Sequence, residues 1–192
     1  MNKSIRFVSL LFLILAATTA NAQYRQDRSE FEYMFKAEAG YMPFVANLGS
    51  EGENGYYISD QRHMVNVNVI NGVNFRQDFF VGLGLGYGYA AKPGNFSEGW
   101  HTAMGFVDVD YRPLREEFAP MVGAKLGASY MMADTPYENT LTPYLELSTG
   151  INWFFRFGYR NMERNYLSLY LELAVAYTQQ TVFIPVRMGF RF

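Results

Sequence analysis

From Phe31 to Phe192 the large apolar residues of this chain recur at every second position, interrupted at intervals by short polar stretches. A spacing of two is the side-chain period of a β-strand, whose successive residues point to opposite faces. The clearest instance is Val81-Gly82-Leu83-Gly84-Leu85-Gly86-Tyr87-Gly88-Tyr89. There every odd position is large and apolar and every even position has no side chain. Glycine is a weak strand former, so a bare face this regular needs a cause. Apolar groups facing lipid, with glycines lining a narrow interior filled by bulky residues from other strands, supply one.

The same pattern predicts eight strands. The first sets Phe31, Tyr33, Phe35, Ala37, Ala39 and Tyr41 against Glu32, Met34, Lys36, Glu38 and Gly40. The second sets Val65, Val67, Val69, Val73 and Phe75 against Met64, Asn66, Asn68 and Asn74, and the glycine row, about 79–91, is the third. In the fourth, Ala103, Gly105, Val107, Val109 and Tyr111 oppose Thr102, Met104, Phe106, Asp108 and Asp110. In the fifth, Phe118, Val122, Ala124, Leu126, Ala128 and Tyr130 oppose Met121, Gly123, Lys125, Gly127 and Ser129. The sixth opposes Leu145, Leu147, Ile151, Trp153 and Phe155 to Tyr144, Glu146, Ser148 and Asn152. The seventh opposes Leu167, Leu169, Leu171, Leu173, Val175 and Tyr177 to Ser168, Tyr170, Glu172 and Ala174. The last opposes Val182, Ile184, Val186, Met188, Phe190 and Phe192 to Phe183, Arg187, Gly189 and Arg191.

No apolar face carries a charge, and each segment has the length a tilted strand uses to cross a bilayer, roughly 10 residues. A water-soluble β-sandwich also alternates, but it hides its apolar face in a shared core and needs no strands this long. The reading is therefore all-β: an eight-stranded antiparallel up-and-down transmembrane β-barrel. Polar stretches at 46–62, 92–101 and 133–142 predict long loops on one side, and 76–78 and 113–117 predict short links on the other. The link 156–165 is long for its side. A turn at Gln179-Gln180 would set Leu173 opposite Val186, Val175 opposite Ile184, and Glu172 opposite Arg187 as an interior ion pair.

The start of the chain bears on compartment. Lys3 and Arg6, the apolar run Phe7 to Ala17 and the small-residue ending Ala20-Asn21-Ala22 read as a secretory signal peptide, residues 1–22, cleaved between Ala22 and Gln23. Residues 23–30 then form a short periplasmic segment and 31–192 the barrel domain. Taking Lys3 and Arg6 from 16 basic residues leaves 14 against 18 acidic ones, a net charge of −4 that argues against a nucleic-acid partner. No cysteine offers a lipid anchor or disulfide, and 15 Tyr and 17 Phe suit the aromatic girdles of a membrane barrel.

Phe192 at the end of the last strand, preceded at intervals of two by Phe190, Met188, Val186 and Ile184, resembles the C-terminal signature of bacterial outer-membrane barrels. That resemblance implies recognition by the barrel-assembly machinery, a Gram-negative outer membrane as location, and its lipid and lipopolysaccharide as surroundings. With eight amphipathic strands, the chain resembles the small OmpA/OmpX-type barrels. The glycine row and the ending Ile184-Pro185-Val186-Arg187-Met188-Gly189-Phe190-Arg191-Phe192 look most like the Bacteroidetes "outer membrane protein beta-barrel domain" proteins. The likeness spans nearly all of 30–192 and implies fold and location rather than an activity.

Candidate chemistry is concentrated in the interior. Glu32, Glu38, Asp108, Asp110, Glu146 and Glu172 share it with Lys36, Arg76, Arg112, Lys125, Arg187 and Arg191. Equal numbers of both signs among Met, Phe and Tyr read as an ion-paired plug, whereas a selective pore favours one sign and smaller residues. A narrow channel is the alternative reading. A lipid-modifying enzyme is a third, but His63 and His101 lack the His-x-Ser arrangement that lipid A deacylases resemble, and no nucleophile is positioned beside them. His63, His101, Asp60 and Glu98 show no metal-ligand spacing, and glycines inside a strand do not cradle a nucleotide. The expectation is a non-enzyme without cofactor. Tyr56, Tyr57, Phe96 and Trp100, in the expected outer loops, are candidates for engaging an extracellular protein or glycan; the alternative for Tyr57, Phe96 and Trp100 is the outer girdle.

Overall fold

The computed structural model describes residues 31–48, 62–76, 78–92, 95–113, 118–132, 141–156 and 166–192. Its strands are β1 (Phe31–Met42), β2 (Phe44–Asn47), β3 (His63–Phe75), β4 (Phe79–Lys92), β5 (Asn95–Tyr111), β6 (Phe118–Met132), β7 (Leu141–Arg156), β8 (Tyr166–Thr178), β9 (Thr181–Phe183) and β10 (Val186–Arg191). Pro43 separates β1 from β2, and Ile184-Pro185 separates β9 from β10. Proline brings no N–H to a ladder, so each break interrupts one long strand rather than adding another. The chain therefore crosses the sheet eight times.

Every neighbouring pair is antiparallel, and β1 pairs with β10 to close the sheet. Closure is continuous across both proline breaks. Phe35 and Phe192 exchange two backbone bonds of 2.8 and 3.0 Å, Ile184 N–H donates to Pro43 at 3.1 Å, and Ala174 N–H donates to Pro185 at 2.9 Å. The fold is a closed eight-stranded antiparallel barrel with no free edge.

Among the described side chains parity holds along the strands except at the β4 bulge, where Ala90 and Ala91 are both buried. Leu83 (72% exposed), Leu147 (71%) and Leu85 (69%) point outward, while Lys36, Met64, Met121 and Tyr144 are fully enclosed. An apolar outer wall wrapped around a charged interior inverts the arrangement of a water-soluble protein; lipid is the solvent that matches it. The polar residues on the outer wall find partners there. Asn71 accepts from the Tyr33 hydroxyl at 2.6 Å, and the Thr149 hydroxyl donates to the Met121 carbonyl at 3.3 Å.

The two rims differ. The rim bearing Phe31 and Phe192 has the links after Phe75 and Tyr111 and an aromatic belt. In that belt Phe31 packs on Phe75, Phe35 on Phe192, and Phe118 on Trp153, each with ring centroids 5.2 Å apart. The opposite rim, bearing Asn47, Met132 and Leu141, is the loop rim. There Tyr41 stacks on His63, and Tyr87 and Tyr89 pack against His101.

Two sequence expectations need correction. The stretch 92–101 is not a long loop: β5 begins at Asn95, and Lys92 pairs with Asn95 after a bulge near Ala90. Phe96 and Trp100 are thus strand residues. A strand that rises clear of lipid no longer needs an apolar outer face, so its alternation fades while its ladder continues. Arg76 is exposed in the β3–β4 turn with a φ of 50°, so it does not line the lumen. The expected leader with its Ala22–Gln23 junction, Tyr56 and Tyr57 lie outside the described residues, as does most of 156–165.

Candidate functional site

The lumen is closed by charge. Lys36, Glu38, Asp108, Asp110, Arg112, Lys125, Glu146, Glu172, Arg187 and Arg191 are five cations and five anions, none more than 4% exposed. They come from β1, β5, β6, β7, β8 and β10, together with Arg112 just beyond β5. Register aligns them: Asp108 lies opposite Lys125, Lys125 opposite Glu146, Glu172 opposite Arg187 and Arg191 opposite Lys36.

Two clusters result. In the one nearer the loop rim, Lys125 Nζ lies 2.9, 3.1 and 3.2 Å from Glu38, Glu146 and Glu172. Arg187 bonds Glu146 through both terminal nitrogens, with Nη2 to Oε2 at 2.6 Å, and reaches Glu172 at 3.2 Å. Tyr144 donates to Glu146 at 2.6 Å and accepts from Arg187 at 3.0 Å. Tyr170 and Asn68 each donate to Glu38, at 2.8 and 2.9 Å. In the cluster nearer the terminal rim, Lys36 bonds Asp108 and also Asp110, the latter at 2.8 Å, while Arg191 stands 3.5 Å from Asp110. Lys36 and Glu38, 3.7 Å apart, join the two.

Ionised groups out of water are costly unless paired and hydrogen-bonded, which is the arrangement found for Lys125, Arg187 and their carboxylates. The sequence reading of Glu172 and Arg187 corresponds to a register pair in the structure. Leu173 likewise faces Val186.

The glycine row makes space for this filling. A methyl group at Gly84 would stand 2.3 Å from the Phe106 ring, and one at Gly88 2.5 Å from Met64 sulfur. Large groups from β3 and β5 lean across the bare wall of β4. Toward the loop rim they join an apolar layer with Met42, Met64, Met104 and Phe183.

Trp100 belongs to the interior as well. It is 6% exposed, and the Arg62 guanidinium lies 3.9 Å from its ring centroid. It shares the parity of lumen-facing Thr102 and Asp108, a signal obscured in sequence by the polar residues around it. Elsewhere in the interior Ser129 bonds both Thr142 and Thr178, and the Gln179 amide donates to the Ser129 hydroxyl at 3.1 Å. Sequence reasoning missed this hydroxyl group because lone Ser and Thr residues on separate strands carry no spacing signal.

Among the described residues neither histidine joins a catalytic arrangement. His63 accepts from the Phe44 N–H at 3.2 Å and stacks on Tyr41. His101 bonds the Tyr87 hydroxyl on the outer wall. Among the described residues no group of three or more His, Asp, Glu or Cys side chains forms a metal cage.

No family model matches the chain, and no curated protein matches it. Among solved structures it is similar to the Neisserial surface protein A, with a TM-score of 0.53 at 12% identity over 86% of this chain and 98% of that one. The N-terminal β-barrel domain of Pseudomonas aeruginosa OprF follows, with a TM-score of 0.48, 14% identity and coverage of 83% and 97%. Ail, the attachment invasion locus protein of Yersinia pestis, has a TM-score of 0.42, 12% identity and coverage of 86% and 100%. At such identities the likeness to the first shows a shared fold, that of a small membrane β-barrel.

Proposed function

We propose that this protein is an integral outer-membrane barrel of a Gram-negative bacterium that closes its own lumen and acts in envelope structure or surface interaction through its outer loops. The observation that carries the reading is the enclosed set of ten charged side chains that knits the strands together across the interior. A barrel so filled offers little path for solute, so interaction passes to the loop rim. The reading takes the chain as a non-enzyme, with an extracellular protein or glycan as partner at residues such as Tyr56 and Tyr57. Ile184, Val186, Met188, Phe190 and Phe192 would present its end to the barrel-assembly machinery, after cleavage between Ala22 and Gln23. The same ending and the glycine row support a place among the Bacteroidetes barrel-domain proteins.

Conductance of the refolded barrel in a planar lipid bilayer tests the closed lumen. The expected result is no unitary current from protein shown to be folded by its gel mobility before and after boiling. Stable stepwise currents would instead establish a narrow channel, with Lys125 and Asp110 as its first selectivity residues to replace.

A further inference from the structure

The lumen charges are balanced overall but not locally. Near the loop rim two cations, Lys125 and Arg187, face three carboxylates, Glu38, Glu146 and Glu172. Near the terminal rim three buried cations, Lys36, Arg112 and Arg191, share two buried aspartates, Asp108 and Asp110, with Glu38 3.7 Å from Lys36. Lys36 occupies both of those aspartates, so Arg191 keeps one distant contact of 3.5 Å. Arg112 reaches no carboxylate within 4.0 Å among the described residues and donates instead to the Asn74 amide oxygen. Asp78 and Glu32, both part-exposed, act on Arg112 from farther away at the rim.

The same end of the lumen holds unused hydrogen-bonding groups. Arg191 Nε and Nη1, Arg112 Nε, both amide atoms of Asn152 and the Ser168 hydroxyl are buried with no partner. Asn152 is fully enclosed, and Ser168 and Arg191 are each 1% exposed. The backbone brings these groups together. Ser168 is the register partner of both Arg191 and Phe154, and Asn152 lies between Ala119 and Tyr170. The Arg191 guanidinium passes 4.8 Å from the Tyr170 ring centroid to reach the Met121 sulfur at 3.6 Å, spanning this stretch of wall. Arg112 closes the lower side, 5.9 Å from the Phe154 ring centroid.

We propose that this terminal end of the lumen is a binding site for a small inorganic anion of the halide class, held by Arg191, Arg112, Asn152 and Ser168. Counting the hydroxyl, the unused groups offer five donors and, from Asn152 Oδ1, one amide acceptor. An anion accepts from all of the donors at once. A water molecule accepts about two bonds and must aim its own hydrogens at the remaining donors. Asp110 does not supply the missing acceptor: its free oxygen points toward Gly123, 2.7 Å from where a Cβ there would stand. An anion also offsets the surplus of one cation over the two buried aspartates of this end, while the part-exposed Glu32 and Asp78 act from the rim.

Bromide is the probe. Crystals of the refolded barrel soaked in sodium bromide should show an anomalous peak between Arg191 and Asn152. In solution, the unfolding temperature should be higher in sodium bromide than in sodium gluconate at equal ionic strength. Asn152→Asp places a carboxylate of the same shape beside Arg191, so it should abolish both the peak and the salt difference while keeping folded gel mobility. Ordered water without anomalous signal in the unsubstituted protein, or a salt difference unchanged in Asn152→Asp, would overturn the proposal. The bromide peak in the unsubstituted protein decides the matter even where the variant does not fold.

Discussion

At the scale of single residues, what a position tolerates depends on which wall of the barrel it faces. Gly105 lies on the lipid side with no atom within 4 Å of a would-be Cβ, whereas at Gly127 that Cβ would meet the Gly105 carbonyl oxygen at 2.0 Å. Gly105→Ala should therefore be neutral or stabilise by up to about 1 kcal/mol through the unfolded chain. Gly127→Ala should cost about 1–3 kcal/mol by forcing backbone apart, and urea unfolding of the two variants in lipid vesicles measures the contrast. Arg187 poses a larger problem. Its removal leaves Glu146 and Glu172 with Lys125 as their remaining cation at ion-pair distance. Arg187→Met should cost about 3–5 kcal/mol, the penalty of stranding buried charge, read in the same assay. The glycine row was legible in sequence as a bare face, yet the identity of its neighbours was not. Phe106, Met64 and Met104 become its partners only through the register of β3 and β5 against β4.

At the scale of elements, the last hairpin joins local conformation to register. Gln179 and Gln180 have φ angles of 51° and 57°, the left-handed region that a two-residue hairpin turn requires and that residues other than glycine and asparagine resist. Gln179 is held there because its amide reaches Ser129 and its N–H reaches Thr142. Gln180 is exposed. Gln180→Gly should accordingly stabilise the barrel by about 1 kcal/mol, seen as a higher urea midpoint with an unchanged denaturant slope. The alternating apolar residues made the β8 to β10 register readable in advance, because slipping by one would turn every leucine of β8 inward. The proline breaks and the extension of β5 to Asn95 were not readable. The β5 extension lies where the ladder continues without the alternation that lipid enforces, whereas at Ile184-Pro185 the alternation runs on unbroken and only the ladder is interrupted.

At the scale of the whole molecule, stability comes from two solvents, lipid outside and a packed polar lumen inside. Leu147 stands midway along β7 and is 71% exposed on the outer wall. Leu147→Arg should cost about 2–4 kcal/mol, the depth-dependent penalty of a cation at the bilayer midplane. Removing one charge at the exposed Arg76 of the β3–β4 turn, as Arg76→Gln, should cost much less, so comparing the two by vesicle unfolding places the membrane on the barrel. The lumen sets what the molecule can do. On the proposed reading its clusters leave the loop rim as the surface for partners, and the uneven split of charge between the two clusters favours the proposed anion site near the terminal rim.

The alternating pattern by itself determined the strand number, the inward and outward faces and the lipid-facing wall, because a period of two leaves each residue only two directions. It also placed the enclosed charges in the lumen by parity, although it put Arg76 there too, which the structure sets in an exposed turn. Which charge meets which depended on tertiary structure. Closing the sheet through β1 and β10 brings strands far apart in sequence across one narrow interior. Lys125 on β6 thus touches Glu38 on β1, and Trp100, polar in its local context, turns inward beneath Arg62. The unmatched donors around Asn152 also emerge only on closure, since no local sequence records how many carboxylates reach each guanidinium.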